Sequence, residues 1–233
     1  NGRHLAVLNM NPGHSVSIVD VEDRIFTHEA STPGCAVIMP VAQNDFMQVC
    51  GDGTLQLIQL DISGFEANRV RSDVFFSVMD DAIFDRVASS NTGWFLITHS
   101  GTIFHASTDD DEIIIEDGWN PRLEGEENWR PGGRNEIISA HHETGLIFVA
   151  MHEGPIDTHH EPGTEIWVLD SNSKRRIGKI ELDTPANSVL VTQESNPKLL
   201  IVDSEGGSHV YDAITLSYER SIEIPGSTAF EDL

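Results

Sequence analysis

The sequence predicts an all-β fold, a β-propeller built from four-stranded blades. One pattern recurs five times along the 233 residues: a short alternating strand, a turn, then a second strand. Its copies read SVSIVD at 15–20, TLQLIQLD at 54–61, TIFHAS at 102–107, EIWVLD at 165–170 and GSHVYD at 207–212. Their ends lie 41, 46, 63 and 42 positions apart, and strand-built repeats of ~40–50 residues are what one blade consumes. Turn signals at Asp52-Gly53, Asn91-Thr92-Gly93, Ser100-Gly101 and Gly206-Gly207 separate the apolar runs.

Taken in order, residues 4–10, 15–21 and 24–30 make a first set of three strands. Residues 36–40, 45–50, 54–60 and 68–75 make a full blade, and 77–84, 93–98, 102–106 and 112–116 another. A fourth uses 134–140, 145–151, 165–169 and 176–182, and a fifth 187–192, 198–202, 208–211 and 218–224. Only the first set lacks its innermost strand. The tail at 226–233 (GSTAFEDL) stands where the first strand of a next blade would begin. The expectation is one propeller domain over 1–233, a five-bladed ring closed by the tail completing the first blade. The alternatives are an open arc, or an arc closed by swapping between two copies into a homo-oligomer.

Asp and Glu outnumber Lys and Arg by 38 to 14, a net charge of −24. Phosphate contacts need a basic face, so nucleic acid and anionic membrane surfaces are excluded as partners. No stretch approaches the ~20 apolar residues that span a bilayer. Cys35 and Cys50 flank two apolar runs joined by a turn at 43–45. A hairpin would bring the thiols within disulfide reach, worth roughly 3 kcal/mol for a loop this short; two free buried thiols are the other reading. A disulfide would place the chain in an oxidising compartment.

The 63-residue spacing comes from two insertions, 118–133 (GWNPRLEGEENWRPGG) and 153–164 (EGPIDTHHEPGT). Both read as loops, where binding usually resides. Trp94 and Trp167 fall in strands and read as blade packing. Trp119 and Trp129 lie in the first insertion, with loop packing and partner contact as the two readings. His141, His142, His152, His159 and His160 fall close together in sequence with Glu143, Glu153, Asp157 and Glu161. Their spacing is no regular metal-ligand set, and strand alternation sends His141 and His142 to opposite faces. No metal site is predicted. Asp109-Asp110-Asp111 reads as a solvated acidic turn, Gly132-Gly133 and Gly206-Gly207 as turns, and no G-x-S-x-G elbow is present.

Trp129-Arg130-Pro131-Gly132-Gly133, His142 and THHEPGTEIWVLD (158–170) together resemble the heavy subunit of bacterial tryptophylquinone-dependent amine dehydrogenases. The stretches 33–55 and 204–222 are similar to the same family's disulfide hairpin and last blade. The resemblance implies a Cys35–Cys50 disulfide and a periplasmic location. It also implies a non-catalytic propeller that scaffolds a small quinone-bearing light subunit, on which primary amines are oxidatively deaminated. This chain would then hold no cofactor, metal or catalytic residue, and it corresponds to the last five of the family's seven blades. Trp119, Trp129, Arg130, His159 and His160 are the candidates for partner contact. A stand-alone binding propeller without a quinone partner, and a metal-dependent lactonase-like propeller, are the competing functions.

Overall fold

The structure, a computed structural model, describes residues 2–41, 44–222 and 229. Among these residues there are nineteen β-strands and no helix. The first set is β1 (His4–Asn9), β2 (Ser15–Asp20) and β3 (Ile25–Ser31), in that spatial order. The second is β4 (Cys35–Pro40), β5 (Phe46–Cys50), β6 (Leu55–Leu60) and β7 (Glu66–Arg71). The third is β8 (Ile83–Ser89), β9 (Trp94–Thr98), β10 (Ile103–Asp109) and β11 (Glu112–Ile115).

The fourth set opens with two short pieces, β12 (Trp129–Pro131) and β13 (Ile138–Ala140), which pair side by side along β14 (Leu146–Glu153). Next come β15 (Gly163–Asp170) and β16 (Arg175–Val191). β17 (Lys198–Asp203), β18 (Ser208–Asp212) and β19 (Tyr218–Ile222) complete the fifth set. β16 serves both sets. Its first half pairs with β15, its second half with β17, and the register slips at Ala186 beside Pro185. Proline donates nothing to the ladder, so the strand changes partner there without ending. Chain contacts divide the molecule into two units, Asn1–Asp85 with Ala106–Glu116, and Arg86–His105 with Asp117–Leu233.

One residue type explains why the repeat is so regular. Asp20, Asp61, Asp170 and Asp212 each stand at or just beyond the end of the next-to-last strand of a set and cap the turn that follows. Asp20 Oδ1 accepts from the backbone N–H of Glu22 (3.0 Å) and Asp23 (2.9 Å). Asp61 accepts from Ser63 and Phe65, Asp170 from Asn172, and Asp212 from Ile214 and Thr215. A short carboxylate satisfies turn N–H groups that a hairpin would otherwise leave open.

Between the sets lie the cores. Val16, Ile18 and Ala30 of the first pack with Phe46 and Ile58 of the second. Phe148, Ile166 and Val168 of the fourth pack with Val189, Val191, Leu199 and Ile201 of the fifth. Strands sandwiched this way are buried on both faces, which is why β14 and β15 read as unbroken apolar runs.

Cys35 and Cys50 sit opposite each other in the β4–β5 register, with Cα atoms 4.0 Å apart, and are disulfide-bonded. Gln43 of the expected turn and the tail expected to close the ring, Ala229 apart, lie outside the described residues. Two expected strands move. Residues 77–84 do not form one, because the Ser77 hydroxyl donates to Asp80 (2.7 Å) and the Ser77 carbonyl accepts from Asp81 N–H (2.8 Å). This local turn outcompetes the ladder, and β8 begins only at Ile83. The expected strand at 134–140 shrinks to β13, with β12 taking up the vacated length of β14.

Candidate functional site

The two inserted loops meet at the far end of β14. There Trp129, Arg130 and Pro131 pair with Glu153, His152 and Met151. Trp129 therefore lies in a short strand and not, as the sequence led us to expect, in a loop. Gly154 N–H donates to Asn128 O (3.0 Å), and Gly133 N–H to His159 O (3.3 Å). These bonds turn loops separated by β13 and β14 into one surface.

Beneath that surface lies Trp167, wholly buried in β15. The Trp129 ring rests on it at 5.6 Å, and the Arg176 guanidinium lies 4.0 Å from its ring centroid. Arg176 also binds Glu126 at 2.7 Å, pinning the first loop from its middle. Trp167 Nε1–H donates to Glu165 (2.7 Å), whose other oxygen accepts from Lys179 (2.6 Å). Trp129 thus has a packing role, and the residue is half-buried. Trp119 is tied elsewhere, exchanging backbone hydrogen bonds with Ile103 (2.8 and 3.0 Å). Trp94 is half-buried in β9.

His159 stacks on His99 with ring centroids 4.1 Å apart, and His160 lies against it at 4.0 Å, tilted by 50°. Burial and the neighbouring His160 hold His159 below the usual imidazole range, with Asp157 opposing. His99 carried no signal in the sequence, because its partners come from a loop sixty residues onward. Arg130 is buried, at 8% exposure, and its Nε–H donates to Gly154 O (2.9 Å).

His152 is buried at 2% exposure. Its Nε2 lies 2.9 Å from the Thr158 hydroxyl, which itself donates to Pro155 O (2.7 Å). The hydroxyl can then only accept, so Nε2 carries the proton and Nδ1 keeps its lone pair toward Gly132. Nδ1 has no hydrogen-bond partner among the described residues. Burial pushes the His152 pKa down, Glu161 pulls against it, and Arg130 adds to the depression. The unfolded chain therefore takes up this proton more readily than the folded one. The contribution of this group is fully present above ~6.5 and is lost as pH drops below the unfolded pKa. Thermal melting from pH 7.5 to 5 is expected to fall more steeply in the wild type than in His152→Gln; parallel slopes would contradict this assignment.

His141 and His142 are not part of this group. They lie in the turn before β14, and the length of that strand, roughly 20 Å, separates them from His152. His141 is held by Thr144 and the Glu194 carbonyl, and His142 by Ser89. Among the described residues no group of three His, Cys, Asp or Glu side chains is arranged to hold a metal ion. Gly132 and Gly133 are not a free turn but points of close approach. The former faces the His152 ring and Glu161 O, the latter Ile137 and Asn187 O. The joined loops bring the Trp129 ring, neighbouring imidazoles and the Arg130 guanidinium into one region.

The profile of the methylamine dehydrogenase heavy chain family matches residues 1–229. The heavy chain from Methylobacillus flagellatus is 27% identical over 220 residues, covering 92% of this chain and 54% of its own. That from Methylophilus methylotrophus is 26% identical over 226 residues, covering 95% and 55%. The chain spans about half the length of the curated relatives it matches. Among solved structures, a europium-containing methanol dehydrogenase aligns with a TM-score of 0.60 at 12% identity, over 95% of this chain and 49% of that one. A β-propeller domain from Myceliophteria thermophila also aligns at 0.60, at 9% identity, over 96% and 70%. These likenesses speak to the fold, a β-propeller.

Proposed function

Because the chain belongs to the methylamine dehydrogenase heavy chain family, we propose that it acts as the propeller subunit of a periplasmic amine dehydrogenase. It forms a single propeller domain over 1–233 and scaffolds a small quinone-bearing light subunit. Oxidative deamination of a primary amine belongs to the quinone of that partner. This chain supplies position and access, with Trp129, Arg130, His159 and His160 as contact residues.

The observation that carries this reading is the joining of the two inserted loops by β12 and β14. It concentrates four of the five predicted contact residues on one rigid support. The disulfide fits an oxidising compartment. Tagged chain purified from its native host is expected to bring down a small subunit that stains for quinone and reduces dye in the presence of amine. Chain that elutes alone and inactive would overturn the subunit role and leave a stand-alone binding propeller.

A further inference from the structure

Among the described residues Arg130 is the only buried lysine or arginine. The buried carboxylates follow a rule that it breaks. Asp20 is paired with Arg3 at 2.8 Å, Glu165 with Lys179 at 2.6 Å, and Asp203 with His209 at 2.8 Å. Arg130 forms no ion pair among the described residues, in a chain that carries 38 acidic side chains. Glu153 and Glu161 stand on the adjoining loop, yet neither pairs with it. A buried charge without a counter-ion is costly and is ordinarily neutralised or paired.

The guanidinium is oriented as well as buried. Its Nε–H is committed to Gly154 O, which fixes the plane of the fork. Its Nε–H contact is the one side-chain hydrogen bond it makes among the described residues, so the two terminal nitrogens are left for one planar group end-on. A carboxylate matches that fork with two parallel, charge-assisted hydrogen bonds. Trp129, beside Arg130 in β12, and the His159–His160 pair, tied in through Gly133, belong to the same joined loops.

We propose that Arg130 receives an Asp or Glu carboxylate from the partner polypeptide, the central polar contact of the loop surface. The identity of that partner rests on the subunit reading above; the carboxylate site does not. Because the chain carries −24 overall, the complementary face is one carboxylate set among neutral or basic side chains.

Two peptides test this on the isotope-labelled chain: acetyl-Lys-Glu-Lys-amide and acetyl-Lys-Gln-Lys-amide. The Arg130 Nε–H and Trp129 indole resonances are expected to shift saturably with the first and to bind the second at least ~10-fold more weakly. Net charge alone predicts the reverse order, so equal or reversed affinities would overturn the proposal, as would no response at all. Acetate shifting both signals at the same concentrations would overturn a polypeptide source.

Arg130→Gln is expected to abolish the response while Tm stays unchanged or rises, since an uncompensated charge has been removed. A fall in Tm with the peptide response retained would mark a structural arginine and sink the idea. In the native-host purification, wild type retrieving a light subunit and Arg130→Gln retrieving it equally would refute this contact alone. Wild type retrieving none while the peptides still discriminate would refute the subunit reading and leave the carboxylate site standing.

Discussion

Trp167→Ala is expected to lower the folding free energy by about 3–5 kcal/mol. The indole is wholly buried, and its removal opens a cavity under the loop surface that rigid neighbouring strands cannot refill. Three further contacts go with it: the Trp129 ring, the Arg176 guanidinium and the hydrogen bond to Glu165. Glu165 is itself buried, so one of its oxygens loses its donor. Trp167→Phe separates the effects. It keeps most of the apolar volume and loses the N–H, for an expected cost of about 1–3 kcal/mol.

Urea unfolding checks both, through midpoints that fall with unchanged slope. The alanine variant should also expose the 118–133 loop to proteolysis, because Arg176 no longer has a ring to lie on while holding Glu126. A loss below 1 kcal/mol for Trp167→Ala would mean that the ring is not the support of this surface.

Gly132→Ala is the second large effect, at about 3 kcal/mol, the upper end of what overpacking costs. A methyl group there would overlap the Glu161 carbonyl oxygen and the His152 ring. Neither can yield easily. The carbonyl belongs to the backbone of the loop, and the ring is anchored at Nε2 by Thr158. Relief therefore requires the 154–162 loop to lift from β12, carrying His159 and His160 with it.

The variant should lose partner binding together with stability, in contrast to Arg130→Gln, which loses binding alone. Gly13→Ala is the matched control. Its added methyl meets nothing within 4 Å and its backbone is not left-handed, so a change within about 0.5 kcal/mol is expected. A Gly132→Ala protein as stable as this control would show that the loop has a second packing.

Much of the fold was legible in the chain because it is written in short-range terms. Alternating strands and turn glycines act within a few residues of one another. The pairing of Cys35 with Cys50 needs only one hairpin to close. Where a local preference competed with the pattern, the reading slipped. Ser77 and Asp80 make a turn in a stretch whose apolar residues suggested a strand. Residues 183–186 lay between two expected strands, but the chain runs through them as β16.

The candidate site was legible only as a set of residue types in two loops. Trp129, Arg130, His159 and His160 were named from those loops, and three of the four gained a structural reason that the sequence did not contain. Trp129 rests on Trp167, His159 stacks on His99, and Arg130 binds Gly154 O. The five clustered histidines illustrate the opposite. Proximity in sequence suggested a group, and one strand's length pulled His141 and His142 away from the rest.

By itself, then, the sequence determined the blade repeat and the two inserted loops, and set the two cysteines within reach of one hairpin. These follow from periodicity, turn chemistry and hairpin geometry, all of which act over short stretches of chain. Only the tertiary structure decided that the loops share one surface, that Gly132 admits no side chain, and that Arg130 is buried without a counter-ion among the described residues. Those facts depend on which distant backbone atoms and charges arrive beside a residue, and no local pattern encodes an arrival from twenty or sixty residues away.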